Sequence, residues 1–243
     1  MLLALACCWS STYPLTKIGL GSIPPVTFIS ARSLIAALFL IAILYARGLR
    51  IPTDARAWKL FAQQQTINST IPFLMITWAQ QYVAAAPTVV LASTTPIFAF
   101  LITWGITRHE PATLLKLAGA VLGLAGTLLF GGLLLLPVSL IVDHPWTLRP
   151  TMEALVATVT MGIFSSAFGL MLFYMCLSRL GTLTTNAQGY LRIPIGVGLS
   201  VVLLGETVPT NLALGLVLVM AGVAAMTIPG DAYRRWIDRF RKA

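Results

Sequence analysis

A single arginine stands near the middle of a long apolar run, close to other polar side chains. Arg192 follows Asn186, Gln188 and Tyr190 at two-residue intervals. If the run crosses a lipid bilayer as a helix, a guanidinium at that depth costs ~2.5 to 3.5 kcal/mol on insertion scales and needs a compensating partner. That partner is either a bound solute or the backbone carbonyls that Pro194 leaves without an amide donor. These four polar residues are therefore a candidate binding cluster.

Two further cations lie toward the ends of apolar runs. Lys17 and Arg32 have stems long enough to hold their charges at a membrane interface. If they instead point inward, the buried charge is uniformly positive, because every acidic residue falls in a predicted loop or at a predicted helix end. The acidic residues are Asp54, Asp143, Asp231, Asp238, Glu110, Glu153 and Glu206. The inward alternative favours an anionic or carboxylate-bearing substrate.

Other amphipathic side chains within or near the apolar runs are candidates for the lining of a solute cavity. They are Trp9, Ser10, Tyr13, Trp78, Gln80, Gln81, Tyr82 and Tyr174. Trp and Tyr at the ends of spans are also typical interface anchors, so both roles stay open for Trp78. A proton relay usually needs an embedded carboxylate or His, and the sequence places none in a span. Glu206, at the predicted outer mouth, is the remaining candidate for coupling.

The composition determines which elements must position these side chains. Hydrophobic residues make up 58% of the 243-residue chain and charged residues only 9%, against about 25% charged in a typical soluble domain. The apolar runs approach or exceed the ~20 residues that a transmembrane helix needs. They lack the strict alternation of barrel strands, so an all-α, polytopic transmembrane bundle is predicted. The eight predicted spans are 2–20, 26–46, 60–80, 84–106, 113–142, 153–178, 182–204 and 211–228.

The basic residues between the spans predict the topology. With the N-terminus inside, the outer loops hold only Arg149. The inner loops and tail hold Arg47, Arg50, Arg56, Lys59, Arg108, Lys116, Arg179, Arg234, Arg235, Arg239, Arg241 and Lys242. The positive-inside rule then predicts an integral protein of a bacterial inner (plasma) membrane with both termini in the cytoplasm. The basic residues lack the aromatic interleaving of a nucleic-acid-binding face, so no nucleic-acid partner is predicted.

Several activities lack their sequence signatures. Cys7, Cys8 and Cys176 lie in apolar runs without metal-ligand spacing, so no metal, cofactor or disulfide is predicted. The chain carries neither an HExxH motif nor a GxxxxGK[ST] nucleotide loop, and Ser165-Ser166 has no embedded His to activate it. We therefore expect neither an intramembrane enzyme nor an ATP-driven pump.

The chain also resembles itself at a shift near 97 residues. Pro96, Glu110, Gly119 and Gly126 align with Pro194, Glu206, Gly215 and Gly222, and the spacing from each Glu onward is identical. Mid-helix prolines allow kinks and glycines allow close helix packing, as in transporters built from paired repeats. The predicted organisation is a first repeat at 1–132, a shortened second repeat at 133–230 and a basic cytoplasmic tail at 231–243.

These features resemble the drug/metabolite transporter superfamily, EamA-type branch. The matching pieces are Trp9-Ser10 through Lys17, Ile23-Pro24-Pro25 with Arg32, Trp78 to Tyr82, Pro96 to Glu110, and Tyr190 to Pro194 with Leu204-Gly205-Glu206. The resemblance implies a secondary carrier of small metabolites or amino-acid-like solutes. It also implies ten helices, arranged as two inverted five-helix repeats around a cavity that alternates its access between the two sides of the membrane.

The chain departs from that family pattern in its second half. After Leu129-Phe130-Gly131-Gly132 it continues directly into residues 133–149, which resemble the end of the family's seventh helix. The sixth helix and part of the seventh are therefore expected to be absent, and residues 113–142 form either one long helix or a helix plus a re-entrant piece. A truncated or non-transporting subunit is the alternative function. Such a subunit needs a partner chain, or a second copy in a homo-oligomer, to complete a cavity.

Overall fold

The computed structural model describes residues 1–49, 51, 54–92, 114–210 and 213–217, with the backbone alone at 114–122, 182–184, 186, 187 and 190. Every regular element in these described ranges is helical. The predicted all-α class is therefore confirmed. Pro96, Glu110, Gly222 and the tail at 231–243 lie outside the described residues, and the predicted repeat and tail boundaries stay predictions.

The first predicted span consists of two short helices, α1 (Leu2–Ser10) and α2 (Thr12–Gly19). Pro14 has no amide hydrogen to donate to the carbonyl of Ser10, which explains why the helix is interrupted near Ser11.

The second span is α3 (Pro25–Ala46), which begins at a proline that needs no amide partner and ends before Gly48. Gly48 has a φ of 72°, in the left-handed region that glycine adopts readily.

The third predicted span is longer than expected and changes its winding midway. It runs from α4 (Ala55–Gln65) through a π-helical segment at Thr66–Thr70 into α5 (Ile71–Ala79). Pro72 cannot donate to the carbonyl of Asn68, so the wider winding comes just before the missing hydrogen bond. The next helix begins as α6 (Ala85–Ala92).

The fifth predicted span is one continuous helix, α7 (Leu114–Val142), of 29 residues. This settles the choice between one helix and two pieces, because Pro137 lies inside the helix without ending it. The length exceeds the ~20 residues that a crossing requires, and tilt is the usual way to accommodate such an excess. A short 3₁₀ turn at Pro145–Thr147 follows.

The sixth and seventh predicted spans also carry a π-helical segment. Helix α8 (Met152–Thr160) continues through Met161–Phe168 into α9 (Gly169–Leu204). Within α9 the backbone breaks at Gly181, where φ is 77° and ψ is 171°. That break falls between the two predicted spans, as the sequence indicated.

Three described helical stretches are long and apolar enough to cross a bilayer: Pro25–Ala46, Gly123–Val142 and Met152–Gly181. Many of their large apolar side chains are exposed, including Leu38, Leu136, Ile141 and Val156. Exposed apolar side chains on long apolar helices are typical of lipid contact. The chain is an integral membrane protein.

Helix α3 is central to the packing, since it lies against α7 and against the π-helical segment at Met161–Phe168. The contacts are close because glycines face it. A Cβ added at Gly162 would lie 2.8 Å from Ile35 Cγ2 and 3.1 Å from the carbonyl oxygen of Arg32. The predicted packing residue Gly126, on α7, faces the ring of Phe61 on α4 instead. Small residues thus bring helices together, as expected in a membrane bundle.

The chain divides into two compact units, Met1–Glu206 and Thr207–Ala243. The first contains the helices described above. In the described part of the second, Ala213 N donates to Pro209 O at 3.0 Å, and Gly215 has open space where a Cβ would lie.

Candidate functional site

A cavity of about 220 Å³ lies inside the first unit. Residues of α1 to α7 and of α9 line it, together with both π-helical segments. Its lining thus comes from both predicted repeats, with Trp9 and Tyr13 from the first and Ser165 and Arg192 from the second. The volume is below the ~300 to 1,000 Å³ typical of pockets for drug-sized ligands. The cavity is suited to a smaller solute.

Arg192 is held in this cavity by α1 and α2. Its Nη2 donates to the Tyr13 hydroxyl at 2.9 Å, and its guanidinium carbon lies 5.3 Å from the ring centroid of Trp9. Ser10 Oγ donates to the backbone carbonyl of Arg192 at 3.0 Å. Among the described residues, Arg192 Nε is buried and has no hydrogen-bond partner. The predicted candidates Trp9, Ser10, Tyr13 and Arg192 are therefore brought together, and the guanidinium retains free donor capacity.

Arg32 lines the same cavity from α3. Its side chain is only 5% exposed, and its guanidinium carbon lies 4.3 Å above the ring centroid of Phe73. Its Nε is buried without a partner in the described part of the chain. Of the two alternatives left open by the sequence, the inward orientation is the one observed. A ring face attracts a cation, but it supplies no countercharge.

Neutral polar groups complete the lining. The hydroxyls belong to Thr12, Thr16, Ser69, Thr77, Ser165 and Ser166, and the amides to Gln65 and Gln80. None of the described lining residues carries a carboxylate.

Of these neutral groups, only Gln80 is among the site candidates from the sequence. A signal was present, because Gln65, Ser69, Phe73 and Thr77 recur every four residues and so share one face of a helix.

The sequence matches the model of the EamA-like transporter family over residues 1–130 and again over residues 127–228. The chain belongs to this family. The uncharacterized transporter YoaV of Bacillus subtilis (strain 168) is 28% identical over 124 residues, a match that takes in 51% of this chain and 42% of YoaV. The match thus spans less than half of the relative's length. No solved structure matches the chain.

Several candidates lie outside the cavity of this EamA-family protein. Trp78 is 61% exposed and stacks edge to face on Tyr82 at 5.6 Å, as an interface anchor would. Gln81 is exposed, whereas its neighbour Gln80 is buried and lines the cavity. Tyr174 packs beside Phe173 against an apolar cluster of α3 and α7.

The cluster before Arg192 is only partly described. Gln188 is buried outside the cavity lining, and its Oε1 has no partner among the described residues. The side chains of Asn186 and Tyr190 lie outside the described part of α9. The described residues contain no group of three or more His, Cys, Asp or Glu that could hold a metal ion.

Lys17 and Glu206 hold the two sides of the turn between α5 and α6. Lys17 Nζ donates to the carbonyl oxygens of Gln80 and Val83 at 2.7 and 3.2 Å. The two carboxylate oxygens of Glu206 accept from the backbone amides of Ala85 and Ala86 at 2.8 and 2.9 Å. Each charge complements a helix end, since a cation favours exposed carbonyls and an anion favours free amides. Neither residue lines the cavity.

Proposed function

We propose that this transporter is a secondary carrier of small organic anions, such as metabolites or amino-acid-like solutes with a carboxylate. The observation that carries the proposal is the cavity, in which Arg32 and Arg192 occur together without a carboxylate in the described lining. A buried, unpaired guanidinium is unfavourable, and an anion provides the missing charge. The hydroxyl and amide groups around it can donate to the remaining anion oxygens.

Alternating access is the proposed mechanism. The cavity lies between side chains of the two predicted repeats, which supports a rocking of one half against the other around a central solute. The absence of a nucleotide-binding loop from the sequence supports transport driven by a solute gradient or exchange. The positive-inside pattern supports placement in a bacterial inner membrane with cytoplasmic termini.

Uptake by proteoliposomes tests this function directly. Vesicles containing the purified protein are loaded with unlabelled organic acids and then given the labelled acid outside, so that exchange is read as accumulation of label. We expect exchange of small organic anions that falls at least ~10-fold in Arg192→Met, since a hydrogen bond to a charged group contributes ~1.5 to 3 kcal/mol. The matched control is Arg149→Met, because Arg149 is exposed and outside the cavity.

Three results would separate the alternatives. Equal loss of exchange in both arginine variants would contradict a role for the cavity. Anion binding without exchange would favour the non-transporting subunit, whose cavity needs a partner chain or a second copy to work. If Glu206→Gln still binds anions but its exchange depends differently on pH, the result would support coupling through Glu206. If the pH dependence of exchange is unchanged, Glu206 only caps the helix.

A further inference from the structure

We infer that the cavity selects solutes carrying two anionic groups, one for Arg32 and one for Arg192. The inference rests on the proposed function and narrows its substrate class from anions to compact dianions. It follows from the number of unpaired charges in the cavity and from the way each is held.

The two guanidinium groups are supported independently. Arg32 projects from α3 over Phe73 of α5, with its guanidinium carbon 4.3 Å from the ring centroid. Arg192 projects from α9 toward Trp9 and Tyr13, whose ring centroids lie 5.3 and 5.6 Å from its guanidinium carbon. The aromatic faces fix where each charge lies but leave both charges uncompensated.

The described carboxylates are committed elsewhere or exposed. Asp143 accepts from Thr27 N and Thr27 Oγ1 at 2.8 and 2.7 Å, and Glu206 accepts from two backbone amides. Asp54 and Glu153 are exposed. The described lining of the cavity therefore carries two positive charges and no negative one.

Charge balance then distinguishes one anionic group from two. A monoanion neutralises one guanidinium and leaves the other without a countercharge, either the buried Arg32 or the half-buried Arg192. A charge removed from water without a countercharge is costly. A dianion compensates both. The volume of about 220 Å³ limits such a ligand to a compact molecule, for example a short dicarboxylate or a small phosphate monoester.

Two series of ligands, in which each step removes one negative charge, test the inference. The first set is succinate, succinamate and succinamide, with two, one and no negative charges. The second is methyl phosphate, dimethyl phosphate and trimethyl phosphate. Dissociation constants are measured by calorimetry on the detergent-purified full chain at constant ionic strength. We expect the dianion of at least one set to bind roughly 30-fold or more tightly than its monoanion, as the loss of one partner of a buried charge pair implies.

The variants locate the effect within the cavity. Arg32→Met and Arg192→Met should each reduce the preference for dianion over monoanion below about 3-fold, because only one guanidinium remains to be neutralised. Arg149→Met should retain the full preference. The preference is a ratio measured within each variant, so partial loss of folded protein does not change it. Arg32→Lys and Arg192→Lys, which keep the charge, should retain most of it.

The outcomes separate this inference from the proposed function. Equal affinity for dianion and monoanion, with neutral ligands excluded, would overturn the inference and leave an anion carrier intact. Binding of neutral ligands as tightly as anions, or binding of no anion in either set, would overturn both. A dianion preference that survives in both methionine variants would show that the two guanidinium groups are not its source, and would overturn the inference as well.

Discussion

Glu206→Gln should destabilise the start of α6 without weakening solute binding. The two carboxylate oxygens of Glu206 accept from Ala85 N and Ala86 N at 2.8 and 2.9 Å. Hydrogen bonds to a charged group contribute ~1.5 to 3 kcal/mol, and a neutral one about 1 kcal/mol. Glutamine keeps one oxygen acceptor, loses the other, and loses an interaction with the helix end of ~0.3 to 1 kcal/mol. Because Glu206 is half-buried and partly screened by solvent, we expect a net loss of about 2 kcal/mol.

The assay is thermal unfolding of the detergent-purified protein, followed with a thiol-reactive dye. Cys8 and Cys176 are buried in the folded state and become reactive as it unfolds. A loss of about 2 kcal/mol should lower the apparent Tm by roughly 4 to 8 °C for a chain of this size.

Glu153→Gln is the matched control, since Glu153 is exposed in the first turn of α8 and has only the helix-end interaction to lose. Its apparent Tm should fall by about 2 °C or less. Equal shifts in the two variants would refute the capping argument. A weaker affinity of Glu206→Gln for anions would refute its placement outside the cavity.

Four other substitutions test the packing and polar contacts of the bundle. Tyr13→Phe removes the hydroxyl that accepts from Arg192 and should lower stability by ~1.5 to 3 kcal/mol in the unliganded protein, measured as apparent Tm. Ser10→Ala should cost about 1 kcal/mol in the same measurement, because the carbonyl of Arg192 loses one donor. Gly162→Ala should destabilise by ~1 to 3 kcal/mol through overpacking. Gly198→Ala, with open space around it, should stabilise by ~0.5 to 1 kcal/mol, and equal effects of the two alanines would contradict the close-approach argument.

Much of the fold could be predicted because membrane helices follow hydropathy. The start of α3 at Pro25 and the break at Gly181 lie within a few residues of their predicted positions. The interruption at Ser11 and the two π-helical segments could not be predicted from hydropathy. The interruption at Ser11 and the segment at Thr66–Thr70 depend on the carbonyls that Pro14 and Pro72 leave unpaired. No proline lies within residues 151–180, so the segment at Met161–Phe168 does not have that cause.

The candidate site is also predictable from the sequence only in part. Arg192, Trp9 and Tyr13 were recognised because a charge or an indole inside an apolar run is unusual, and the structure brings them together. Both Gln80 and Gln81 are candidates from the sequence and only Gln80 lines the cavity, because composition alone does not indicate which of two adjacent glutamines faces inward. Helix periodicity does not separate them either, since residues 80 and 81 come three and four positions after Thr77 and both spacings place a residue on the same face. The two glutamines differ in orientation because α5 ends at Ala79 and the chain turns there.

The π-helical segment at Met161–Phe168 affects both the packing of the helices and the position of a positive charge in the cavity. This segment contributes the hydroxyls of Ser165 and Ser166 to the cavity. Its Gly162 allows α3 to approach closely, since a Cβ added at Gly162 would lie 3.1 Å from the carbonyl oxygen of Arg32. The position of the Arg32 guanidinium therefore depends on a glycine contact in the other predicted repeat. Any rocking of one half against the other would move Arg32 relative to Arg192, so the distance between the two positive charges would change with the direction in which the cavity opens. A dianion that fits one spacing better than the other would then favour one conformation, which is the differential binding that any ligand-driven conformational change requires.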